Sequence, residues 1–282
     1  MASFGRILLP VDFSERSLDA ARQAEVLARH FHSDVTVLHV VDPDQPEFGT
    51  FERGGVKTCE LETLLDRDFA GASILRIVRD GNPAREILDF AGSNDVDLIV
   101  ITSHGYGPFE SFVMGSVAAE VLRDATCPVW ISAHAQQGLP PMFRIVLCAV
   151  DLGPGTESIV NWASQFAAAF SARLVVLHAI RSLESEGQPD SPDEWLSSVE
   201  REELGTVKRK LGKEGQVLFA GGDIPEAVCR QAQKLKADLV VIGRSPKADD
   251  VGTARTTSFT IIRESPCPVV SIWRSSDGPP GA

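Results

Sequence analysis

Short apolar runs alternate along the chain with stretches in which apolar residues recur at helical spacing. The runs Ile7 to Val11, Val35 to Val41 and Leu98 to Ile101 show no alternation of apolar and polar residues, which is typical of strands covered on both faces of a sheet. Between them, Ser17 to Phe31 and the segment that opens with Asn82-Pro83 have the spacing of amphipathic helices. Strands and helices therefore alternate, which predicts an α/β fold with a parallel sheet.

The remaining segments continue this alternation in both halves of the chain. In the first half we predict strands at Ile74 to Val78 and Pro128 to Ser132, a short helix around Glu60 to Asp68 and a last helix from Gly115 to Arg123. In the second half we predict helices at Ser158 to Phe170, Trp195 to Leu211 and Pro225 to Leu235, and strands at Leu174 to Ile180 and Gln216 to Phe219. The predicted fold class is two tandem Rossmann-like doubly wound domains, each with a mostly parallel five-stranded sheet flanked by helices.

The two halves of the chain repeat one another about 140 residues apart. RILLPVDFS at Arg6 to Ser14 matches RIVLCAVDL at Arg144 to Leu152, and residues 97–132 match residues 238–272 through to a shared Cys-Pro-Val. A repeat of this length indicates domain duplication rather than a solenoid. We predict domains at residues 1–137 and 138–282, joined by a polar segment with Pro-Pro, and a disordered tail from about residue 275.

The composition fits two globular domains and excludes several classes of partner. The hydrophobic content is 43%, the net charge is −12, and Lys and Arg form no cluster, which argues against sequence-independent binding to nucleic acid or to an anionic membrane. No signal peptide and no membrane-spanning run is recognised, so we expect a cytoplasmic location. Five cysteines without paired spacing favour reduced thiols over disulfides or a zinc site.

In a doubly wound sheet, ligands bind at the carboxyl ends of the strands, where the strand order reverses. The segments expected to meet there in the first domain are Pro10-Val11-Asp12, His39-Val40, the loop from Thr102, and Gly115-Ser116. A Gly-Ser pair at a helix start offers backbone N–H groups to an anion such as phosphate, and Asp12 can accept a hydrogen bond from a base amine or a ribose hydroxyl. The alternative is structural: Gly115-Ser116 form a helix cap and Asp12 caps the first helix.

Together these residues resemble the universal stress proteins of the UspA type, over nearly the whole of both halves. The segments RILLPVDFS, LHVV, SHG, GSV and CPV carry the resemblance. ATP-binding members of that family have the pattern G-x2-G-x9-G-[ST] after the fourth strand; Gly105 and Gly115-Ser116 match it, whereas Thr102 occupies the first glycine position. The resemblance implies that Pro10, Asp12 and Val40 line an adenine and ribose pocket, and that Gly105, Gly115, Ser116 and Val117 hold the phosphates. Val11, Thr102 and His104 lie in the same segments and are further candidate binding residues.

The second half departs further from that pattern. Gly243 restores the first glycine and Asp151 is retained, but Pro246 replaces the second glycine and Arg255 aligns with Gly115. Proline removes an N–H donor, and a long side chain stands where the backbone should meet phosphate. Two hypotheses follow for this half: a structural role as the partner of the first domain, or a second ligand site formed by Asp151, Gly243, Thr256 and Thr257, with the two threonines capping the helix.

The resemblance implies a tandem universal stress protein that binds ATP or a related adenine nucleotide, with or without Mg²⁺, and acts in the stress response as a regulator rather than a metabolic enzyme. It also implies that the two domains pair through their closing strands as an intramolecular pseudo-dimer, with a homodimer as an alternative. A nucleotide-free protein-interaction module is the alternative function. Enzymes of related folds carry H-x-G-H or S-G-G-x-D-S, which do not occur in this sequence; we expect at most weak ATP hydrolysis, no catalytic residue and no metal site.

Two further pairs of residues are interpreted as structural. His39 and His178 end equivalent strands and suggest catalysis, but a histidine at the end of a buried strand more often makes a local hydrogen bond. Cys127 and Cys267 each precede a proline at the start of a strand, and no C-x-x-C accompanies them. We therefore assign both pairs to packing and local structure.

Overall fold

The computed structural model describes residues 4–43, 73–103, 114–132, 143–180, 196–212, 215–244 and 253–273. These residues form two compact units, and the division falls between residues 132 and 143. Each unit is a doubly wound α/β domain, so the predicted fold class is confirmed. The predicted short helix around Glu60 to Asp68 and the predicted disordered tail from residue 275 lie outside the described residues.

The first unit contains a parallel sheet of five strands in the order β3-β2-β1-β4-β5. The helix α1 packs on one face of this sheet, and α2 and α3 pack together on the other. The elements are β1 (Arg6–Pro10), α1 (Glu15–Phe31), β2 (Asp34–Val41), β3 (Ile74–Asp80), α2 (Pro83–Ser93), β4 (Leu98–Thr102), α3 (Ser116–Asp124) and β5 (Val129–Ser132).

The second unit repeats this architecture, with a parallel sheet in the order β10-β9-β6-β7-β8. Its elements are β6 (Ile145–Val150), α4 (Thr156–Ala169), β7 (Arg173–Ile180), α5 (Ser198–Leu211), β8 (Gln216–Gly221), α6 (Ile224–Leu235), β9 (Leu239–Arg244), α7 (Thr253–Glu264) and β10 (Val269–Trp273). The two sheets match strand for strand, as the sequence repeat predicts.

Polar side chains fix the starts of several helices. The Ser14 hydroxyl accepts from the Ser17 N–H at the start of α1, and the Asn82 side chain accepts from the Arg85 N–H at the start of α2, where Pro83 occupies the first turn. The helix predicted from Trp195 begins instead at Ser198. Ser197 and Glu200 form a reciprocal capping box there, which satisfies two backbone N–H groups and defines the first turn.

The backbone hydrogen bonds correct the alignment of the first strands of the two units. The Asp97 N–H donates to the Arg6 carbonyl at 2.9 Å, and the Asp238 N–H donates to the Ile145 carbonyl at 2.9 Å. Arg6 is therefore equivalent to Ile145, and the match of the two arginines at Arg6 and Arg144 is wrong by one residue. The two Arg-Ile pairs are offset by one residue, because Arg144 precedes β6 and corresponds to Gly5 before β1.

Apolar side chains between the sheet and its helices form the core of each unit. The largest fully buried side chains include Trp130, Leu9 and Leu27 in the first unit and Phe143 and Phe166 in the second. A doubly wound sheet requires strands that are apolar on both faces, and this is why β4 reads as an unbroken apolar run. Within the described part of the chain, the helices are too short or too polar to cross a bilayer.

Candidate functional site

The candidate site of the first unit lies between the carboxyl ends of β1 and β4. After β1 the chain moves outward through β2 to β3, and it then crosses over to β4 on the other side of β1. This reversal separates the loops on either side of it and leaves a crevice at the carboxyl ends of the two strands. The equivalent reversal in the second unit lies between β6 and β9.

A tight turn follows β1. The Asp12 carboxylate accepts from both the backbone N–H and the hydroxyl of Ser14, at 3.0 and 2.6 Å. Phe13 between them has a φ of 61°, in the left-handed region that bulky residues rarely occupy. The alternative in which Asp12 caps α1 is wrong, because Ser14 is the N-cap; Asp12 instead holds the hydroxyl of the capping residue.

The helix α3 begins at the other side of the crevice. Its N-cap, Gly115, has extended backbone angles, and among the described residues no side chain makes a capping hydrogen bond to this helix. The Gly115 N–H donates to the Ser103 carbonyl at 2.9 Å, which ties the helix start to the end of β4. Ser116 is exposed and Val117 is half-buried. The positive end of α3 thus lies at the crevice, and in the described part of the chain its first N–H groups have no capping side chain.

The strand pairing shows which predicted residues share a face. Pro10 pairs with Leu38, and two residues further Val40 pairs with Arg79, whose guanidinium contacts Glu86 of α2 at 3.0 Å. Because paired residues of neighbouring parallel strands point to the same face, Pro10 and Val40 lie on the face that carries α2 and α3. Val11 is buried, and Pro10, Asp12 and Val40 are half-buried.

Thr102 points to the opposite face. It pairs with Ser132 of β5, and the Ser132 hydroxyl accepts from Gln23 of α1 at 2.8 Å. The side chain of Thr102 is therefore on the α1 face of the sheet, whereas α3 lies on the other. His104 and Gly105 fall outside the described residues, so their predicted contacts with phosphate stay predictions.

The two histidines make the local hydrogen bonds expected from the sequence. His39 Nδ1 lies 2.8 Å from the Val11 carbonyl oxygen, and His178 Nδ1 lies 3.0 Å from the Val150 carbonyl oxygen. Each ring is 5% exposed. The bonded carbonyls belong to the residues just before Asp12 and Asp151. The sequence signal for this contact was the equivalent position of the two histidines, but it could not identify their acceptors.

The second unit places its candidate residues differently. Asp151 is exposed and accepts from the Gly153 N–H at 3.2 Å. Gly243 is in β9, next to Arg244, whose guanidinium bonds to the Ser271 carbonyl and lies 5.8 Å from the centre of the Trp273 ring. Arg244 takes the position of Ser103 in the first unit and is 9% exposed. The sequence carries no local signal for this buried arrangement, because the groups that Arg244 contacts are in β10.

The proposed capping role of Thr256 and Thr257 is wrong. The helix α7 begins at Thr253, so both threonines follow its first residues instead of preceding the helix. Nothing in the sequence from Thr253 onward breaks a helix, and the alignment with Gly115 therefore placed the start too late. The second unit does not reproduce the open helix start at the residues that the alignment predicted.

The Glu200 side chain contacts both the carboxyl end of β7 and the start of α5. Its carboxylate accepts from the Ser197 N–H at 2.7 Å and lies 3.7 Å from Nε2 of His178. Hydrogen bonds from Ser197, and then the proximity of His178, lower the pKa of Glu200. This carboxylate is thus engaged in local structure. Among the described residues, no group of three or more His, Cys, Asp or Glu side chains is arranged to hold a metal ion.

Burial makes the described thiols of the second unit unreactive. It raises the pKa of Cys148 to about 12, that of Cys267 to about 12 and that of Cys229 to about 11. Only the thiolate is a nucleophile, so these side chains are expected to be inert at neutral pH. Packing, as predicted for Cys267, is consistent with this environment.

We expect Cys148 and Cys267 to resist alkylation in the folded protein. At pH 8 a thiol with a pKa of about 12 is ionised in roughly one molecule in ten thousand, against about one in four for an ordinary thiol. Peptide mass mapping after iodoacetamide treatment should find both cysteines unmodified without denaturant and fully modified in urea. Rapid modification of either one in the folded protein would contradict the raised pKa of that thiol.

The fold defines a class of protein: a tandem duplication of a doubly wound domain, with a topological switch point in each sheet. The sequence model of the universal stress protein family matches residues 3–132 and 142–272, one match for each unit. Because the matches cover most of the chain, the chain belongs to the universal stress protein family.

Individual relatives agree with this assignment. Universal stress protein MJ0531 of Methanocaldococcus jannaschii is 31% identical over 139 residues, which are 45% of this chain and 81% of that protein. Universal stress protein Mb2028c of Mycobacterium bovis is 27% identical over 262 residues, 84% of this chain and 86% of that protein. A crystal structure of a universal stress protein from Archaeoglobus fulgidus has a TM-score of 0.73 at 21% identity, covering 96% of this chain and 99% of that one, which shows a shared fold.

Proposed function

We propose that the first unit binds ATP or a related adenine nucleotide, and that the chain acts as a regulator in the stress response. The observation that carries this proposal is the start of α3, which faces the crevice between β1 and β4 without a capping side chain among the described residues. Helix starts of this kind bind phosphate through their backbone N–H groups and their dipole. No basic side chain is needed for that interaction.

The order of the strands determines how the proposed nucleotide lies across the carboxyl edge of the sheet. Neighbouring strands lie about 4.8 Å apart, so β2, β1 and β4 span about 10 Å at their carboxyl ends. Phosphates at the start of α3 and the base against Val40 leave the ribose over the end of β1. Asp12 is the residue that follows β1, and its carboxylate is an acceptor for a ribose hydroxyl.

Thr102 replaces the first glycine of the phosphate motif, but its side chain points away from the start of α3, which supports binding. Its side chain shares the α1 face with Ser132, so its Cβ does not stand between the end of β4 and the start of α3. A threonine in the place of glycine therefore leaves the approach to the Gly115 and Ser116 N–H groups open. Mg²⁺ would accompany the triphosphate as its counterion, and we propose that the nucleotide carries it into the site.

We propose that the second unit does not bind nucleotide and serves as the structural partner of the first. Arg244 fills the position that Ser103 holds in the first unit, and Pro246 and Arg255 replace residues of the phosphate motif. Pairing of the closing strands and a cytoplasmic location remain predictions from the sequence. The segment of residues 106–114 contains no Lys or Arg, which favours the nucleotide-free interaction module as the second candidate function.

The purified protein is expected to carry about one adenine nucleotide per chain. Denaturation followed by mass spectrometry identifies the nucleotide, and its molar ratio to protein gives the number of sites. Isothermal titration with Mg-ATP tests any protein that was purified empty. Two nucleotides per chain would show that the second unit also binds. No nucleotide and no heat of binding would reject the proposal in favour of the interaction module.

A further inference from the structure

His39 and His178 occupy equivalent positions. Each is hydrogen-bonded to the backbone carbonyl of the residue before the aspartate that follows the first strand of its unit. A carbonyl oxygen only accepts, so the His39 and His178 rings both carry a proton on Nδ1 and donate it to Val11 and Val150. Both rings are buried, and a hydrogen bond shielded from water is stronger than one at the surface. The same contact is thus built twice, each time directly before the aspartate at the carboxyl end of the first strand.

Both turns also contain a backbone conformation that costs energy. Phe13 has a φ of 61° and its equivalent, Leu152, has a φ of 52°. Left-handed angles are unfavourable for bulky side chains and persist only where the surroundings enforce them. In the first unit the Phe13 ring packs against His39, with 4.6 Å between the ring centres. His39 therefore contacts the turn twice, through its hydrogen bond to Val11 and through its packing on Phe13.

We propose that His39 is a positioning residue for ribose recognition. It holds the turn from Val11 to Phe13 so that the Asp12 carboxylate meets a hydroxyl of the ribose. This inference rests on the proposed nucleotide site of the first unit. Side chains alternate along β2, so His39 lies on the face opposite Val40 and acts through the turn instead of touching the ligand.

The Asp12 carboxylate is fixed from its other side by α1. Ser14 donates to it with its N–H and its hydroxyl, and the same hydroxyl accepts from the Ser17 N–H at 3.2 Å. The backbone of the turn is held by His39 through Val11, and Phe13 links the aspartate to α1 in a left-handed conformation. Loss of the His39 hydrogen bond is therefore expected to move the aspartate, while the helix start keeps its cap.

The test compares ATP with 2′-deoxy-ATP and 3′-deoxy-ATP by isothermal titration. A carboxylate–hydroxyl hydrogen bond predicts that the wild-type protein loses about tenfold or more in affinity for one of the two deoxynucleotides. In His39→Leu we expect that preference to fall to about twofold. His39→Asn, whose amide nitrogen takes the place of Nδ1, should restore it. His39→Gln places its amide near the position of Nε2 and should not.

The equivalent residue of the second unit provides the matched control. His178→Leu removes the same type of hydrogen bond, so it should lower the melting temperature and leave the ribose preference unchanged. If His39→Leu fails to fold, the comparison of His39→Asn with His39→Gln decides. An unchanged ribose preference in folded His39→Leu or His39→Gln overturns the inference and leaves the nucleotide site standing. Absence of any ATP binding by the wild-type protein rejects the site and the inference with it.

Discussion

Gly115→Asp is expected to abolish nucleotide binding while the protein keeps its stability. The affinity for ATP should fall by at least about 100-fold, because the phosphates lose charge-assisted hydrogen bonds that are worth about 1.5–3 kcal/mol each. The free energy of unfolding should change by only a few tenths of a kcal/mol, or rise, since aspartate is a better N-cap than glycine. Titration with Mg-ATP measures the affinity and urea denaturation measures the free energy of unfolding, each for the wild-type protein and for Gly115→Asp.

The geometry of the helix start explains why Gly115→Asp should weaken ATP binding and still preserve the stability of the protein. Gly115 has a φ of −58° and a ψ of 145°, which any residue adopts, so a side chain introduces no backbone strain. The carboxylate of an aspartate there would accept hydrogen bonds from the N–H groups at the start of α3. These are the same N–H groups that are proposed to bind the phosphate. The carboxylate would also place a negative charge against the anion.

Two further variants separate these causes. Gly115→Asn competes for the N–H groups without adding charge, so it should weaken ATP binding less than Gly115→Asp. Asp223→Gly removes the capping side chain of α6 in the second unit, where the Asp223 carboxylate accepts from the Glu226 N–H. It should lower stability with no effect on ATP binding. ATP affinity that is unchanged in Gly115→Asp would remove α3 from the site.

The sequence predicted the elements well because their signals are local. The apolar runs of β1, β2 and β4 are found within one or two residues of the predicted positions, and the helix α2 begins where Asn82-Pro83 indicates. Strands buried on both faces and capped helices each depend on neighbouring residues, which a single sequence records. The duplication repeats the pattern of apolar runs and helices in the second half of the chain, so it indicates these elements twice.

The arrangement of the site depended on contacts that are remote in the sequence. The face of Thr102 follows from its pairing with Ser132 and from the hydrogen bond between Ser132 and Gln23, which no local pattern encodes. The same holds for the role of His39, whose acceptor lies 28 residues away in the chain. The alignment of α7 failed for a different reason. The helix extends to Thr253, two residues before Arg255, which is the residue that aligns with Gly115.

Trp130→Ala is expected to be the most destabilising single change in the first unit. Trp130 is fully buried in β5, and its indole N–H donates to the Gln23 side chain at 2.7 Å. Truncation of a buried tryptophan costs about 3–5 kcal/mol through the cavity that remains. Urea denaturation should show a lower midpoint, and the loss is a large part of the total stability of a domain.

A double-mutant cycle separates the hydrogen bond from the packing of Trp130. Trp130→Phe keeps an aromatic ring but leaves the Gln23 carbonyl oxygen without this donor, and Gln23→Leu leaves the indole N–H without this acceptor. Each single change should cost about 1–3 kcal/mol, because a buried polar group loses its partner. The double variant removes both groups, so its loss should be smaller than the sum by about 1 kcal/mol or more. Additive losses would show that Trp130 and Gln23 are not coupled through this hydrogen bond.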